Sequence, residues 1–256
     1  GGSVTESYSL EGSTTAVGDL LITANGTLIG TQNMTVNGSA TGTGAVALTG
    51  GTFSNRVSTS QNFGTTSGST AWTFNNLSFE NSSASPVTIT TNPTATGTIT
   101  TTGAMTIGNA ADTSTTLLDN ESNDRTIDAN GNWTITSQGI YTASSTIPLT
   151  VAGSYVNSGT FTANTGLVRF DATTGGRTLS GNMTGGNKFY DLVFNGSGGG
   201  WSFGTSSAEV INDMTITNGS VTGPSTSLIL TGNYVNTATY VHNSGTIVFN
   251  ATTSKA

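Results

Sequence analysis

The sequence lacks cysteine and has few charged residues. Asp, Glu, Lys and Arg make up 7% of its 256 residues, against about 25% in an average soluble domain. With no cysteine and one histidine, His242, the chain does not offer the usual ligands of a zinc site. The absence of cysteine does not identify a compartment, because a long β-stack needs no disulfide bonds.

Positive charge is especially scarce. Six Lys and Arg stand against thirteen Asp and Glu, which gives a net charge of −7. No basic stripe is present that could neutralise phosphates, so the sequence argues against nucleic-acid binding. No apolar run is long enough for a membrane span. No secretion signal is visible at the start, so we expect any such segment to have been removed or to lie outside this sequence.

What is present indicates short β-strands. Apolar residues make up 33% of the chain, and there are 35 glycines. Disordered chains of low hydrophobicity usually carry high charge, whereas here Thr, Val, Ile, Phe and Tyr alternate between turns of Gly, Asn and Ser. No long segment has apolar residues at helical spacing. We therefore expect an almost all-β protein.

The chain is similar to itself at an offset of 79 positions. Tyr155-Val156-Asn157 coincides with Tyr234-Val235-Asn236 in this alignment, and Phe170 coincides with Phe249. Similarity at fixed spacing is typical of repeat architectures. We expect the offset to be a multiple of a shorter period and to span three or four repeats.

Shorter motifs suggest that period. A large apolar residue followed by Thr and then Ile or Val occurs at Met34, Met105, Trp133 and Met214. Spacings between such strands favour a parallel β-solenoid of about ten or more coils, each of roughly 20–28 residues. We expect it to be right-handed and to form one domain over residues 20–256, after an N-terminal segment or edge strand at 1–19. A β-propeller remains the alternative, since 79 residues would equal two blades.

The alignment also separates inward from outward positions. Arg169 coincides with Val248, whereas the next residues, Phe170 and Phe249, are aromatic in both copies. Because successive strand residues face opposite sides, Phe170 and Phe249 are predicted in the core and Arg169 in solvent. The same alternation predicts further inward residues: Leu192, Phe194, Met214, Ile216, Leu228 and Leu230.

Asn-Gly pairs mark the predicted corners. They occur at Asn25, Asn37, Asn195 and Asn218. These dipeptides tolerate positive φ and suit the bends between faces. Equivalent Asn residues can also form hydrogen-bonded ladders along a stack.

Few residues indicate chemistry. The densest acidic segment contains Asp119, Glu121 and Asp124. Oxygen-rich loops of this kind hold calcium in other proteins, so these three are candidate metal ligands, with a solvated loop as the alternative. No other cofactor is indicated. The acids Asp171, Asp191 and Asp213 are scattered, and nothing in the repeat brings two of them together for glycoside cleavage.

Tryptophan is the other residue type that could bind a ligand, by stacking on a sugar. Trp133 occupies a strand position where Met stands in related strands, so it is predicted in the core. Trp201 follows a glycine-rich stretch and is the one expected to be exposed, where it could stack on a sugar. His242 has no acidic neighbour in sequence and does not suggest a catalytic triad.

Two segments, SGTFTANTGLVRFDAT from Ser158 and GNKFYDLVFNGSGG from Gly186, together with the G-N/S-Y-V-N strand starts, resemble the degenerate repeats of bacterial cell-surface β-helix proteins. These are the adhesin-type and filamentous-haemagglutinin-like β-solenoids. The resemblance covers Leu20 to the C-terminus and is clearest from Leu149. It implies an extended, secreted or surface-anchored rod used in adhesion, matrix or filament formation.

The function expected from these observations is non-enzymatic. We expect an extracellular β-solenoid rod that stacks end to end with copies of itself or contacts other cell-surface proteins. No capping helix is visible at either end of the sequence, which favours head-to-tail assembly but is equally expected of a truncated chain. The alternatives are an adhesin that binds glycans or receptors through its loops and a polysaccharide-active enzyme.

Overall fold

The computed structural model describes residues 6–16, 18–92 and 95–251. Over these residues the chain forms short strands and one 3-10 turn, Gly185–Asn187. Each strand pairs in parallel with the corresponding strand of the neighbouring coil. The protein is therefore an all-β parallel β-solenoid of about ten turns, as the repeats predicted.

The strands form three faces, which we call A, B and C, and each coil contributes a strand to all three except where a 3-10 turn interrupts face C. Face A consists of Glu6–Leu10 (β1), Gly26–Gly30 (β4), Ala45–Leu48 (β7), Trp72–Phe74 (β10), Ile99–Thr101 (β13), Ile127–Ala129 (β16), Leu149–Val151 (β19), Leu167–Phe170 (β22), the first parts of Asp191–Ser202 (β24) and Met214–Thr222 (β26), and Tyr234–Asn236 (β28). Face B consists of Thr14–Ala16 (β2), Met34–Val36 (β5), Thr52–Val57 (β8), Asn76–Asn81 (β11), Met105–Ile107 (β14), Trp133–Ile135 (β17), Tyr155–Asn157 (β20), Arg177–Gly181 (β23), the second parts of β24 and β26, and Thr239–Val241 (β29). Face C consists of Leu20–Ile22 (β3), Ala40–Gly42 (β6), Gln61–Thr65 (β9), Val87–Thr91 (β12), Thr116–Asp119 (β15), Gly139–Thr142 (β18), Thr160–Thr162 (β21), Ala208–Val210 (β25), Ser227–Leu230 (β27) and Thr246–Phe249 (β30).

Coil length varies along the stack. The shortest step between register partners is 18 residues, from Thr27 to Ala45. The longest is 29, from Val87 to Thr116. The strands stay short throughout, so most of the variation lies in the corners between faces. The strands β1 and β2 pair with β4 and β5, so residues 6–16 already belong to the stack.

The core is one continuous column of side chains inside the coils. Most strands show buried residues alternating with partly exposed ones. The predicted inward residues are confirmed, since Phe170, Leu192, Phe194, Met214, Ile216, Leu228 and Leu230 are all at most 1% exposed. Ring contacts continue from coil to coil, as between Phe170 and Phe194, whose centroids are 5.3 Å apart. Burial of this apolar column is the main stabilising contribution.

Phe249 is an exception, and its predicted burial is wrong. The side chain is 64% exposed, although its ring centroid lies 6.2 Å from that of Tyr234 in the preceding part of the coil. Its strand β30 pairs only with β27 among the described residues. Alternation along a strand sets the direction of a side chain, whereas burial also needs a neighbouring coil on each side. Arg169 points outward as predicted but is only partly exposed.

The two copies of the 79-residue similarity lie on different faces. Tyr155 belongs to face B, whereas its counterpart Tyr234 belongs to face A. Likewise Phe170 lies on face A and Phe249 on face C. The offset spans between three and four coils but is not a whole number of them, so the expectation that it is a multiple of the repeat is wrong. The matching residues share only the direction of their side chains, inward or outward. This alternation recurs on every face, so it does not fix a position in the coil.

Polar side chains at the corners fasten one coil to the next. Asp19 Oδ1 accepts a hydrogen bond from the backbone N–H of Ser39 (2.8 Å), and Asn132 Oδ1 accepts one from that of Ser154 (2.9 Å). At the predicted Asn-Gly corners, Asn25 has φ 72°, and Gly219, which follows Asn218, has φ 88°. The side chains of Asn195 and Asn218 form one rung of a ladder at 2.7 Å.

The contrast between Phe170 and Phe249 gives a matched test of the core. Phe170→Asp should lower the free energy of unfolding by at least about 3–5 kcal/mol, because it removes a buried ring and buries a charge. Phe249→Asp should change it by roughly 0.5 kcal/mol or less, because the ring is mostly exposed. Urea unfolding followed by tryptophan fluorescence measures both. Equal effects of the two variants would contradict the assigned burial.

Candidate functional site

The acidic segment lies at the corner where face C leads into face A. Asp119 ends β15, and its Oδ1 and Oδ2 accept hydrogen bonds from the backbone N–H of Glu121 (3.1 Å) and the hydroxyl of Ser122 (2.6 Å). Glu121 accepts hydrogen bonds from the N–H and hydroxyl of Ser145, both at 2.6 Å. The first carboxylate thus shapes the loop, and the second connects it to the next coil.

The third predicted ligand, Asp124, faces the next coil as well. Its Oδ1 accepts a hydrogen bond from the hydroxyl of Ser144 (2.6 Å), and its backbone has φ 51°. Within the described residues, no three or more His, Cys, Asp or Glu side chains are grouped so that they could hold a metal ion. The structure therefore gives each of the three carboxylates a partner in the chain. The calcium hypothesis stays a prediction.

Two of the scattered acids, Asp191 and Asp213, lie next to each other on successive coils. Asp191 Oδ1 accepts hydrogen bonds from Asp213 N–H (2.9 Å) and Asn212 Nδ2 (2.8 Å). Asp213 Oδ1 in turn accepts one from Asn233 N–H (3.0 Å). These carboxylates belong to the coil-to-coil bonds at a corner. His242 is exposed, and its Nε2 lies 2.8 Å from the carbonyl oxygen of Gly245.

All three tryptophans are in the core. Trp72 and Trp133 are at most 1% exposed, which confirms the prediction for Trp133. Trp201 is 2% exposed, so its predicted exposure is wrong. It occupies an inward position of β24, and its ring contacts that of Phe194 at a centroid distance of 5.2 Å. The preceding glycines allow the backbone to bend from face A to face B and do not expose the indole.

Face C is interrupted between β21 and β25, a feature that the sequence reasoning missed. The 3-10 turn Gly185–Asn187 stands there in place of a strand, and Asn187 Oδ1 accepts the hydrogen bond of Phe161 N–H (2.7 Å). An open cleft of about 450 Å3 lies beside it. Lys188 lines the cleft and pairs with Glu209 at 3.6 Å. The three glycines Gly181, Gly185 and Gly186 were the available signal.

The strongest charged cluster lies on the outer side of face B. Arg56 Nη1 contacts Glu80 Oε2 at 2.7 Å, and Arg56 Nη2 contacts Asp112 Oδ1 at 3.0 Å. Asp112 Oδ2 also accepts the hydrogen bond of Asn81 N–H (3.0 Å). Asp112 comes from the long corner between β14 and β15. The cluster therefore clamps that corner against the sheet.

The pKa of Glu80 reflects this arrangement. Burial alone would raise the pKa, but hydrogen bonds from Ser78, Arg56, Asn109 and Ser54 outweigh it and lower the pKa below its ordinary value. A carboxyl group whose pKa is lower in the folded state stabilises the fold above its unfolded pKa. That contribution disappears as the pH falls through the folded pKa.

Asp171 has the opposite tendency. Burial raises its pKa, and repulsion from Asp128 raises it further, whereas Arg169 acts against the shift. One of its oxygens, Oδ1, is buried and has no hydrogen-bond partner among the described residues. The charged form therefore destabilises the fold above the folded pKa of Asp171. This penalty vanishes below the unfolded pKa.

Glu80→Gln should weaken the clamp. We expect the free energy of unfolding to fall by about 1–3 kcal/mol near neutral pH, because hydrogen bonds to a charged acceptor are lost. The difference from wild type should shrink as the pH falls through the folded pKa of Glu80. Urea unfolding across a pH series measures it. Glu11→Gln, at an exposed position, is the control, and an equal pH-dependent difference there would contradict the assignment.

Asp171→Asn should stabilise the protein slightly. We expect a gain of roughly 0.5 kcal/mol or less at neutral pH, because a destabilising charge is removed. The gain should disappear below the unfolded aspartate pKa of about 3.9. Asp128→Asn should lower the pKa of Asp171, which NMR titration of the side-chain carboxyl can follow. An unchanged pKa in that variant would show that Asp128 does not act on Asp171.

Comparisons with protein-family models, with curated proteins and with solved structures find no match for this chain. None of the helical segments in the described part of the chain has the length and apolar character needed to cross a membrane. What the coordinates establish is the β-solenoid itself.

Proposed function

We propose that this chain is a non-enzymatic structural protein, a β-solenoid rod that acts outside the cell and associates end to end with copies of itself. The observation that carries the proposal is that parallel strand pairing holds every described coil to the next, so the edge of any coil can pair with a further one. In the coil formed by β28, β29 and β30, the strands use one edge to pair with β26 and β27.

This coil presents apolar side chains along the axis of the stack. Tyr234, Tyr240 and Ile247 pack against the core from one side and remain partly exposed. Phe249, beside Tyr234, is 64% exposed. Three parallel strands surround these side chains, and their outer edges have no pairing strand among the described residues. Such a surface can pair with further strands and bury its apolar centre at the same time.

The coil at the other end of the described stack has a matching form. Its strands β1, β2 and β3 pair only with β4, β5 and β6 among the described residues. A recess of about 400 Å3 there is lined by Leu20, Leu21, Ile22, Thr23 and Leu28. Because the stack is parallel throughout, a second copy placed in sequence would set β28 against β1, β29 against β2 and β30 against β3.

Head-to-tail contact of this type joins two different surfaces and does not close on itself. Such heterologous contacts produce filaments. A rod lengthened in this way keeps its core continuous across each junction. The assembly would therefore be stabilised by the interactions that hold successive coils together within one chain.

The extracellular location rests on composition and repeat style. Low charge, abundant Thr, Asn and Gly and a net charge of −7 support it, as does the resemblance to surface β-helix proteins. The adhesin alternative relied on an exposed Trp201, and the burial of that ring removes this support. The rod therefore has the better support of these two.

A charge at the open coil tests the proposal. Ile247→Lys should prevent association, because a lysine there would have to be buried at the junction. Wild-type protein should form linear fibres in electron micrographs and show concentration-dependent sedimentation, and the variant should stay monomeric. Val193→Lys, an outward position on face A, is the control and should assemble like wild type.

Monomeric wild-type protein at the highest soluble concentration would overturn end-to-end association. Fibres that form equally with Ile247→Lys would show that a different surface mediates assembly.

A further inference from the structure

Arg125 is a charged residue inside the solenoid. It follows Asp124 at the corner between faces C and A and is 1% exposed. Its backbone is held by Asn120, whose Oδ1 accepts from Arg125 N–H (3.1 Å) and whose Nδ2 donates to the Arg125 carbonyl (2.9 Å). Asn120 is itself 2% exposed. The side chain therefore starts from a rigid corner that directs it inward.

The guanidinium group extends over two preceding coils. Its Nη2 donates to the carbonyl oxygen of Gly97 and, at 2.9 Å, to the hydroxyl of Thr65, which stands 60 positions earlier in the sequence. Nε and Nη1 are buried and have no hydrogen-bond partner among the described residues. Arginine has five N–H donors, one on Nε and two on each Nη. Three of the five are therefore unsatisfied.

The charge of Arg125 is also uncompensated within the described residues. The three ion pairs there involve Arg56 and Lys188, and none includes Arg125. The neighbouring carboxylate of Asp124 accepts from Ser144 in the next coil. Burial lowers the pKa of Arg125 with no opposing contribution from an acid. Arginine nevertheless remains protonated in proteins.

A buried charge without a partner is strongly unfavourable. The surroundings of this one are polar, since Thr65, Thr91, Asn92 and Asn120 are buried at the same corner. Thr91 and Asn120 bond to each other at 3.0 Å, and Asn92 bonds to the carbonyl of Gly64 at 2.6 Å. These groups are therefore already paired, and no acid among the described residues balances the positive charge.

We propose that Arg125 is the centre of an internal anion site, in which a small inorganic anion of the halide class accepts hydrogen bonds from Nε or Nη1. The anion supplies the counter-charge and satisfies donors that the chain leaves free. A halide suits the site because it is small, carries one charge and needs no directed lone pairs. The site belongs to the structural core and is independent of the assembly at the ends of the rod.

Crystals of the wild-type protein soaked in bromide test the site directly. The expected result is an anomalous difference peak within hydrogen-bonding distance of Nε or Nη1 of Arg125. Absence of a peak there, or ordered water in its place, would overturn the proposal. This measurement needs no variant and does not depend on how well a mutant folds.

Stability measurements provide a second, independent test of the anion site. The urea midpoint of wild type should be higher in chloride than in gluconate at equal ionic strength, and Arg125→Met should lose this dependence. Lys188→Met is the control, because Lys188 is a partly exposed cation that pairs with Glu209 at 3.6 Å. It should keep the wild-type response. A chloride dependence that persists in Arg125→Met would contradict the site.

Discussion

Parallel backbone pairing between successive coils is the constraint on which the rest of this structure depends. Every coil must return its strands to the register of the preceding coil, whether it takes 18 residues or 29. Extra residues are therefore placed in the corners, and the strands keep their alternation. The side chains that point inward then stack on those of the neighbouring coils, and the hydrophobic core follows from the pairing.

The same constraint explains where polar and charged groups are found. A corner has no strand ladder of its own, so Asp19, Asn132, Asp191 and Asp213 use side-chain oxygens to bond the next coil. Most of the acids that looked like candidates for chemistry have this structural role. The Arg56 cluster holds the long corner between β14 and β15 against the sheet. Arg125 is the one charged side chain in the described core whose charge has no partner there.

Much of the fold was predictable because its signals are local. Alternation within four residues correctly placed Phe170, Leu192 and Met214 in the core. The candidate site was much less predictable. The exposure of Trp201 was misjudged because a glycine-rich neighbourhood indicates a bend and not the direction of the next side chain. Arg125 gave no signal, since its burial depends on residues 28 and 60 positions away.

By itself, the sequence determined the class of fold, the short strands and the direction of their side chains, since these follow from patterns a few residues long. The tertiary structure decided on which face each motif lies, as Tyr155 on face B and Tyr234 on face A show. It also decided which inward residues are buried, because Phe170 has coils on both sides and Phe249 has a described coil on one. The face depends on the accumulated length of the corners, and the burial depends on the neighbouring coils, so neither can be read from a single repeat.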